Sequence, residues 1–357
     1  MKTAPLAYDG DLIRRLWKEG LYRKLANYLV TTWQHNRGHS FVLGYPYHIF
    51  VDPSSRCTLR CPFCAVGTKN YPKPHKDMPL EAFEALMREL GPYILVAELF
   101  VKGEPLMNEA IYDMIACCRR HRVWTRVSSN MQFVDPERLV RSGLNHLLAS
   151  IDGVSQQAYE GYRKGGKAEA ALRHLRQVVE TKRRLGSPTP IVEWKYIVFR
   201  HNEHELKQAE RLAADIGVDA LCFVPALVGD PPLTPEQEAW LPLDKKYRMY
   251  GEAGAALEKT VGSRAIEETC NLPWTSLTVD PLSNVQTCCR CNESKHDHGR
   301  VGPGFFWRVW NGPRYRRSRR FVTEPAPAEA DPTNLCAGCA AKSSLNTVLP
   351  FEFHKAL

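Results

Sequence analysis

Three cysteines lie within eight positions near the start of the chain, in the stretch CTLRCPFC at 57–64. Thiolates are suited to zinc and iron–sulfur sites, and a short loop that contains a proline can bring Cys57, Cys61 and Cys64 to one point. A structural zinc ion or an ordinary four-iron cluster takes four thiolates. Three thiolates leave one coordination position open, which is typical of a catalytic metal site. The alternative is a zinc or cluster site that a distant cysteine completes.

The compartment in which these thiols work is predicted from the rest of the sequence. The chain has 357 residues, of which 44% are hydrophobic and 24% charged, as in a soluble globular protein with a sizeable core. No apolar run suits a signal peptide or a membrane span, so we expect a cytoplasmic protein without a membrane partner. The net charge of +9 gives only weak support to a nucleic-acid partner. In a reducing compartment, clustered thiols are metal ligands or catalytic groups more often than disulfides.

A second sulfur-rich region near the end of the chain predicts a second metal site. Six of the twelve cysteines lie there, at positions 270, 288, 289, 291, 336 and 339. Of the others, Cys117 and Cys118 fall in a predicted helix and Cys222 in a predicted strand. A free cysteine in such an element usually packs as a small apolar side chain.

Strands and amphipathic helices alternate between residues 47 and 225. The first strand, YHIFVDPSS, precedes a helix that starts at Pro79. Asp135 is placed as the N-cap of a later helix, and Asn202 and Glu205 are spaced as a capping box. Six strands of this kind predict a parallel sheet with right-handed crossovers. The region is shorter than the about 250 residues of a closed eight-stranded barrel, so we predict an α/β fold with a partial (β/α)6 TIM-like barrel.

The sequence divides into four predicted parts. Residues 1–46 form a helical segment on the outside of the barrel, and residues 47–226 form the barrel itself. Residues 227–265 are a linker or substrate-covering region, rich in proline and acidic residues at its start. Residues 266–357 form a small cysteine-rich domain. Ligands of parallel α/β folds bind at the carboxyl ends of the strands, so the loop at 57–64, just after the first strand, is expected to face the active site.

The motif C-x-x-x-C-x-φ-C after the first strand of a partial barrel resembles the signature of the radical S-adenosylmethionine (SAM) enzymes. Cys57, Cys61 and Cys64 match its three cluster ligands, and Phe63 matches its aromatic residue. The resemblance implies a [4Fe-4S] cluster whose open iron is chelated by the amino and carboxylate groups of SAM. It also implies that one electron, from an external reductant such as flavodoxin or ferredoxin, cleaves SAM. The resulting 5′-deoxyadenosyl radical then abstracts a hydrogen atom from the substrate.

Further positions match this family at the ends of later strands. KGEP at 102–105 matches the G-G-E-P motif that holds the SAM amino group, with a lysine in place of the first glycine. SSN at 128–130 matches the residues that bind the ribose hydroxyls, and Ser150 and Arg163 match residues at the SAM carboxylate. The apolar stretch at 223–225 fits the adenine contact. The SAM-binding residues implied by the resemblance are Phe63, Lys102, Gly103, Glu104, Pro105, Ser128, Ser129, Asn130, Ser150, Asp152, Arg163 and Val224.

The carboxy-terminal cysteines resemble the auxiliary-cluster domain of the same family, known as SPASM or, in its shorter form, twitch. The resemblance implies one auxiliary [4Fe-4S] cluster with the ligands Cys270, Cys288, Cys336 and Cys339. Ser283 stands where the family usually has a glycine, so the hairpin there is expected to be atypical. Cys289 could replace Cys288 as a ligand, and Cys291 could be a spare thiol. A zinc ribbon with the same four ligands is the alternative.

The sequence specifies the radical chemistry better than the substrate. Family members of this length modify small molecules or ribosomal peptides, and the peptide-modifying relatives often carry an amino-terminal winged helix. Because the first 45 residues are predicted as helices, we expect a small-molecule substrate, such as a carbohydrate or aminocyclitol, that is oxidised, epimerised or undergoes elimination. A peptide maturase is one alternative, and a non-enzymatic zinc- or nucleic-acid-binding protein is another. Glu98, Glu193 and Lys195 are candidate substrate contacts, although strand alternation alone does not tell which face they occupy.

Overall fold

The computed structural model describes residues 8–229, 232–248, 270–324 and 327–339. Its strands are β1 His48–Val51, β2 Val96–Glu98, β3 Trp124–Ser129, β4 His146–Ser150, β5 Ile191–Val198, β6 Ala220–Pro225, β7 Ser276–Val279, β8 Asn284–Gln286 and β9 Gly299–Arg300. Its α-helices are α1 Gly10–Lys18, α2 Tyr22–Asn36, α3 Leu80–Leu90, α4 Ile111–Arg120, α5 Pro136–Ser142, α6 Gln156–Tyr162, α7 Ala168–Arg184, α8 Leu206–Ile216, α9 Pro235–Glu238, α10 Leu272–Thr275, α11 Phe305–Trp310 and α12 Pro313–Thr323. None of these helices has the length and apolar character needed to cross a bilayer.

The strands form a single sheet in the order β6–β5–β4–β3–β2–β1–β7–β8–β9. Strands β1 to β6 are parallel to their neighbours, and each crossover between them carries at least one helix. This arrangement confirms the predicted (β/α)6 unit. Because β6 and β9 lie at opposite ends of the strand order, the sheet is an open partial barrel.

The cysteine-rich region continues the barrel sheet. Strand β7 pairs in parallel with β1, with Phe50 opposite Thr278, and β8 and β9 add antiparallel pairs beyond it. The auxiliary region is therefore joined to the barrel by backbone hydrogen bonds. The domain boundaries given above stay predictions, and residues 249–265 of the predicted linker lie outside the described residues.

The two faces of the sheet have different chemistry. One face is apolar and packs against the helices, through side chains such as Ile49, Val127 and Trp194. Register pairs share a face, and Glu98 is paired with Arg126, as Ser150 is with Lys195. Continuing the register across the sheet brings Glu98, Glu193 and Lys195 to the same face, opposite the apolar one. These candidate substrate contacts therefore line the interior of the barrel.

The amino-terminal helices cover the amino ends of the strands. Helices α1 and α2 confirm the predicted helical character within residues 8–46. Their apolar side chains Leu12 and Leu16 belong to a cluster with Val96 and Trp124, the first residues of β2 and β3. The segment is therefore not packed around the outside of the barrel as expected. It closes the end opposite the carboxyl-end loops.

Local helix signals were partly correct. The side chain of Asp135 accepts a hydrogen bond from the Arg138 backbone and caps α5 as predicted. The capping box of Asn202 and Glu205 was wrong. Asn202 Nδ2 instead donates to the carbonyl oxygen of Asp152 at 3.0 Å, and Glu205 Oε2 accepts from the backbone nitrogen of Val154 at 2.7 Å. Both side chains therefore form hydrogen bonds with the backbone of the loop after β4, and these long-range contacts replace the predicted capping interaction.

Arg319, in the basic run RYRRSRR of α12, is fully buried. Its Nε donates to Pro273 O at 2.9 Å, and its Nη1 donates to Ser40 O at 3.0 Å and Trp310 O at 2.9 Å. The guanidinium carbon lies 4.5 Å from the ring centroid of Trp310. One side chain therefore joins three separate segments of backbone. Of the other arginines in this run, Arg314, Arg317 and Arg320 are exposed and Arg316 is partly buried.

We expect Arg319→Met to lower the free energy of unfolding by about 3 kcal/mol, because the substitution leaves several buried carbonyl oxygens without a donor. The measurement is urea unfolding of the anaerobically purified protein, followed by tryptophan fluorescence. Arg320→Met, at the exposed neighbouring position, is the matched control and should change stability by no more than about 0.5 kcal/mol. Equal effects of the two substitutions would contradict the role given to Arg319.

Candidate active site

The loop of residues 57–64, here called the cysteine loop, follows the carboxyl end of β1. Arg56, just before it, donates from Nη2 to Met107 O at 2.8 Å and so ties the loop to the segment after β2. Gly67 lies against the backbone of Cys61, where an added Cβ would be 2.6 Å from the Cys61 nitrogen. The chain can fold back this closely only because residue 67 has no side chain.

The three thiols of the cysteine loop are mutually close. Burial, together with the neighbouring charges of Glu104, Cys61 and Cys64, raises the pKa of Cys57 to about 11. The Cys57 sulfur accepts from Leu59 N at 3.4 Å and from Asn130 Nδ2 at 3.6 Å. Clustered thiolates that repel one another need a cationic partner, and hydrogen bonds to sulfur are typical of iron–sulfur sites. The residues therefore fit a cluster with one free position.

Glu104 is buried at the end of β2 and held by backbone donors. Its Oε1 accepts from Leu106 N at 3.1 Å and its Oε2 from Asn130 N at 2.8 Å. Burial raises the pKa of this carboxyl. Gly103, beside it, approaches the loop after β1 so closely that a Cβ would lie 2.1 Å from Ser54 O. Within the motif at 102–105, the close approach to Ser54 leaves no room for a side chain at Gly103. Two backbone donors fix the position of the Glu104 carboxylate.

The replaced glycine of this motif causes no visible distortion. The backbone nitrogen of Lys102 donates to Asp52 Oδ1 at 3.3 Å, and Pro105 begins a short 3₁₀ turn, Pro105–Met107. A lysine is compatible here because its φ is not in the left-handed region, unlike that of Met131 at 58°.

The polar residues predicted to bind the ribose lie at adjoining strand ends. Ser128 Oγ is 3.1 Å from Ser150 Oγ, on the register-paired strands β3 and β4. Ser129 and Asn130 instead hold the turn that follows β3, since Ser129 Oγ accepts from Met131 N at 3.0 Å. The structure therefore brings Ser128 and Ser150 together, and gives Ser129 a local role.

Asp152 and Arg163 form a buried ion pair, with Arg163 Nε 2.6 Å from Asp152 Oδ2. Burial alone would lower the pKa of Arg163, but the charges of Asp152 and Cys61 outweigh it and raise the pKa. Asp152 Oδ1 also accepts from Ile197 N at 2.7 Å. Asp152 thus orients Arg163 beside the cysteine loop, where the guanidinium charge opposes the rise that burial causes in the pKa of Cys61.

An aromatic cluster that the sequence did not indicate surrounds Phe63. The Phe63 ring lies 5.1 Å from Trp240 and 6.3 Å from Tyr162. Trp240 belongs to the predicted linker, so part of this segment packs on the cysteine loop. Val224 lies on β6 opposite Ile197, which joins the same apolar cluster. This segment was predicted as a linker from its proline-rich composition, and composition does not indicate which residues its tryptophan contacts.

The barrel interior carries ionisable side chains further toward the amino ends of the strands. His146 Nε2 lies 3.0 Å from Glu193 Oε2, and Arg126 Nη1 lies 3.8 Å from Glu98 Oε1. Lys195 has no carboxylate within 4.0 Å among the described residues, and burial lowers its pKa. Neither Arg126 nor His146 was predicted from the sequence. The alternation of side chains in WTRVSS could have indicated the face on which Arg126 lies.

The four predicted auxiliary ligands line one cavity. Its walls are formed by Cys270, Cys288, Cys336 and Cys339 together with Leu272, Pro273, Thr287, Val322 and Leu335. Burial, together with the charges of Cys288 and Cys339, raises the pKa of Cys270 to about 12. Four converging thiols in an apolar cavity fit a closed, fully ligated cluster.

The remaining cysteines of this region, Cys289 and Cys291, are not among the residues that line the cavity. A hydrogen bond to Cys291 raises the pKa of Cys288, and burial adds to the effect. Cys289 is not among the cavity walls, and after Cys288 its nearest charges are those of Lys102 and Glu98. Cys289 therefore faces the barrel, and the geometry favours Cys288 as the ligand. The ligand set itself stays a prediction.

The hairpin before Cys288 is held in place despite its missing glycine. Ser283 has a φ of 67°, the left-handed conformation that explains why glycine is usual there. Lys73, from the segment after the cysteine loop, is buried and lies 2.8 Å from Asp280 Oδ2 and 2.6 Å from Asp297 Oδ1. This ion-paired lysine ties the cysteine-loop region to the auxiliary hairpin.

Comparison with protein families accounts for both sulfur-rich regions. The model of the radical SAM superfamily matches residues 51–213, and the model of the SPASM iron–sulfur cluster-binding domain matches residues 270–340. A radical SAM domain holds a [4Fe-4S] cluster and SAM, and a SPASM domain holds auxiliary iron–sulfur clusters. The predicted cofactors are therefore confirmed, while the number of auxiliary clusters stays a prediction.

Curated relatives are distant in sequence. The chain is 22% identical to a PqqA peptide cyclase of Bradyrhizobium diazoefficiens over 191 residues, which cover 52% of this chain and 48% of that protein. It is 23% identical to the Fe-coproporphyrin III synthase of Methanosarcina barkeri over 171 residues, which cover 47% of this chain and 41% of that protein. The chain thus spans about half the length of these relatives or somewhat less.

Solved structures share the fold. Streptococcus suis SuiB bound to S-adenosylmethionine has a TM-score of 0.59 and 12% identity, covering 84% of this chain and 73% of SuiB. SuiB bound to its precursor peptide SuiA gives the same TM-score, 0.59, with 12% identity over 84% of this chain and 72% of SuiB. The enzyme anSMEcpe with bound AdoMet has a TM-score of 0.54 and 14% identity, covering 76% of this chain and 82% of that one. The chain belongs to the radical SAM superfamily and carries a SPASM domain after its partial barrel.

Proposed function

We propose that this protein is a radical SAM maturase that modifies a ribosomally made peptide. The observation that carries the proposal is the cysteine loop at the carboxyl end of β1, with Glu104 and Asn130 beside its thiols. The four-cysteine cavity in the same sheet supports an oxidative outcome, since a second cluster can accept an electron from the substrate. We further propose a cytoplasmic location, where a flavodoxin or ferredoxin supplies the reducing electron.

The side chains at the strand ends have distinct proposed roles. When bound, the cluster and SAM supply the radical that removes a hydrogen atom from the substrate. Glu104, fixed by two backbone donors, accepts hydrogen bonds from the SAM amino group. Arg163, oriented by Asp152, pairs with the SAM carboxylate, while Ser128 and Ser150 bind polar groups next to it. These residues would hold SAM at the carboxyl ends of the strands.

A peptide substrate is supported by the relatives. The PqqA peptide cyclase is a peptide-modifying enzyme by name, and SuiB has been solved with its precursor peptide. This proposal replaces the small-molecule substrate expected from the sequence. That expectation depended on the helical amino terminus, but α1 and α2 cover the amino ends of the strands. They leave the carboxyl-end loops, where a peptide would enter, uncovered.

The barrel interior offers polar partners to a peptide. Every residue of a peptide brings a backbone donor and an acceptor that need partners when buried. Lys195, which has no carboxylate within 4.0 Å among the described residues, can donate to a substrate carbonyl or carboxylate. Glu98 and Glu193 can accept from backbone or side-chain donors. We propose these three residues as substrate contacts.

Removal of one motif thiol tests the radical chemistry. With dithionite as reductant, the wild-type protein should cleave SAM to 5′-deoxyadenosine, and Cys57→Ala should abolish this product because the cluster loses a ligand. Cys117→Ala, which removes a buried thiol in α4, is the matched control and should keep wild-type activity. Product is measured by liquid chromatography. Cleavage that survives in Cys57→Ala would refute the assignment.

Iron content tests the auxiliary ligands. In a background with all three motif cysteines changed to alanine, we expect about four irons per chain from one auxiliary cluster. Adding Cys288→Ser should remove most of this iron, whereas adding Cys289→Ser should retain it. Iron is counted after anaerobic reconstitution, with electron paramagnetic resonance as a second readout. Loss of iron with Cys289→Ser alone would reverse the ligand choice, and zinc in place of iron would refute the cluster.

The substrate class is tested with a precursor peptide encoded beside the gene. Incubation with SAM, reductant and enzyme should change the peptide by loss of hydrogen, or by uptake of deuterium in heavy water, as measured by tandem mass spectrometry. Lys195→Met should lower peptide turnover by about tenfold or more, consistent with loss of a charge-assisted hydrogen bond. Dithionite-driven SAM cleavage without peptide should persist in this variant. Turnover of a carbohydrate, with no change in any neighbouring peptide, would favour the small-molecule alternative.

A further inference from the structure

An extended segment, residues 38–44, is fixed between the amino-terminal helices and the auxiliary region, and is here called the strap. Asn311 holds Val42 at both backbone groups, with distances of 3.0 Å to its nitrogen and 2.7 Å to its oxygen. Gln34 Oε1 accepts from Leu43 N at 2.9 Å and from Gly44 N at 2.8 Å. Side chains on both sides of the strap therefore fix its backbone conformation.

The strap presents large apolar side chains to solvent. Phe41 is 53% exposed and Leu43 is 67% exposed, alternating with the buried Val42. Trp33 and Trp307 are also exposed and lie near the strap, since Trp33 packs edge-on against His39 and Trp307 against Tyr45, with centroid distances of 5.0 and 4.9 Å. We call Trp33, Phe41, Leu43 and Trp307 the strap patch. Scattered exposed apolar residues are ordinary, whereas a group of this size typically marks a contact surface.

Helix α12 runs along the strap and makes its border basic. It contains five arginines and no acidic residue. The Arg316 guanidinium carbon lies 5.9 Å from the Phe41 ring centroid, and Thr323 lies 3.2 Å from where a Cβ of Gly38 would be. Arg316 and Arg320, one turn apart, have no carboxylate within 4.0 Å among the described residues. Their charges are available to a partner.

Another side of α12 faces the four-cysteine cavity, and Arg319 reaches both the strap, at Ser40 O, and this cavity. Val322 lines that cavity, and Arg319 donates to the carbonyl of Pro273, which is another of its walls. A helix with its side chains is about 10–12 Å thick. A protein bound to the outer side of α12 would therefore come within roughly one helix diameter of the auxiliary site.

We propose that the strap patch, with Arg316 and Arg320, is the docking surface for a small acidic one-electron carrier protein of the flavodoxin or ferredoxin class. An apolar centre with a basic border complements an acidic partner and would steer its approach. Small, transient interfaces are typical of redox partners. The position over the auxiliary cavity favours an electron carrier over a peptide leader. This inference rests on the proposed function, because only a redox enzyme has a use for such a carrier.

Charge reversal tests the docking surface. We expect the variant Arg316→Glu with Arg320→Glu to weaken binding of an oxidised flavodoxin, and of an acidic [2Fe-2S] ferredoxin, by about tenfold or more. Binding is measured by isothermal titration at low salt, and wild-type affinity should fall as salt is added. The matched control is Lys207→Glu with Arg211→Glu, at the same spacing on the exposed side of α8. Equal weakening by both variants would overturn the proposal.

Two further measurements separate this proposal from its alternatives. Phe41→Ser with Leu43→Ser should also weaken carrier binding, while dithionite-driven SAM cleavage stays at the wild-type level in every variant. Loss of precursor-peptide binding with intact carrier binding would overturn the proposal and identify a leader-binding surface. If wild-type protein cleaves no SAM with dithionite, the proposed function fails, whatever the carrier binding shows.

Discussion

The parallel pairing of β1 with β2 on one side and β7 on the other is the constraint on which the rest of the structure depends. Each strand delivers its carboxyl end to the same edge of the sheet, so the loops that follow β1 and β2 meet there. The same pairing attaches the auxiliary region through β7. Two sulfur-rich regions far apart in sequence are thus held in a fixed geometry by backbone hydrogen bonds, which depend little on side-chain identity.

Buried charges refine the geometry that the sheet sets. Lys73 pairs with Asp280 and Asp297 between the cysteine-loop region and the auxiliary hairpin, and Arg163 pairs with Asp152 behind the motif thiols. Breaking a buried pair of this kind costs about 3–5 kcal/mol, so alternative arrangements of these loops are disfavoured. Arg319 likewise links separate segments of the chain, through hydrogen bonds to backbone carbonyl oxygens. The site is therefore rigid before any cofactor binds.

The placement of the amino-terminal helices links the fold to the substrate. Because Leu12 and Leu16 pack on the first residues of β2 and β3, the helices cover the amino ends of these strands. The polar side chains of Glu98, Arg126 and Lys195 lie further along the strands, toward their carboxyl ends. The entry route that we propose for the substrate is therefore from the carboxyl-end loops, on the side where the cysteine loop lies. Entry beside the radical source suits a reaction from which water should be excluded.

The sequence alone determined the cofactor chemistry and the fold class. The cofactors followed from the resemblance of the Cys57, Cys61 and Cys64 motif to the radical SAM signature, and the alternation of strands and helices follows from local hydrophobic periodicity. Only the tertiary structure decided which of Cys288 and Cys289 faces the cavity, that Arg319 is buried, and that Trp240 packs on Phe63. These outcomes depend on contacts between residues distant in the chain, and local patterns carry no information about such partners. The same reason explains the failed capping box at Asn202, whose side chain donates to the distant carbonyl of Asp152.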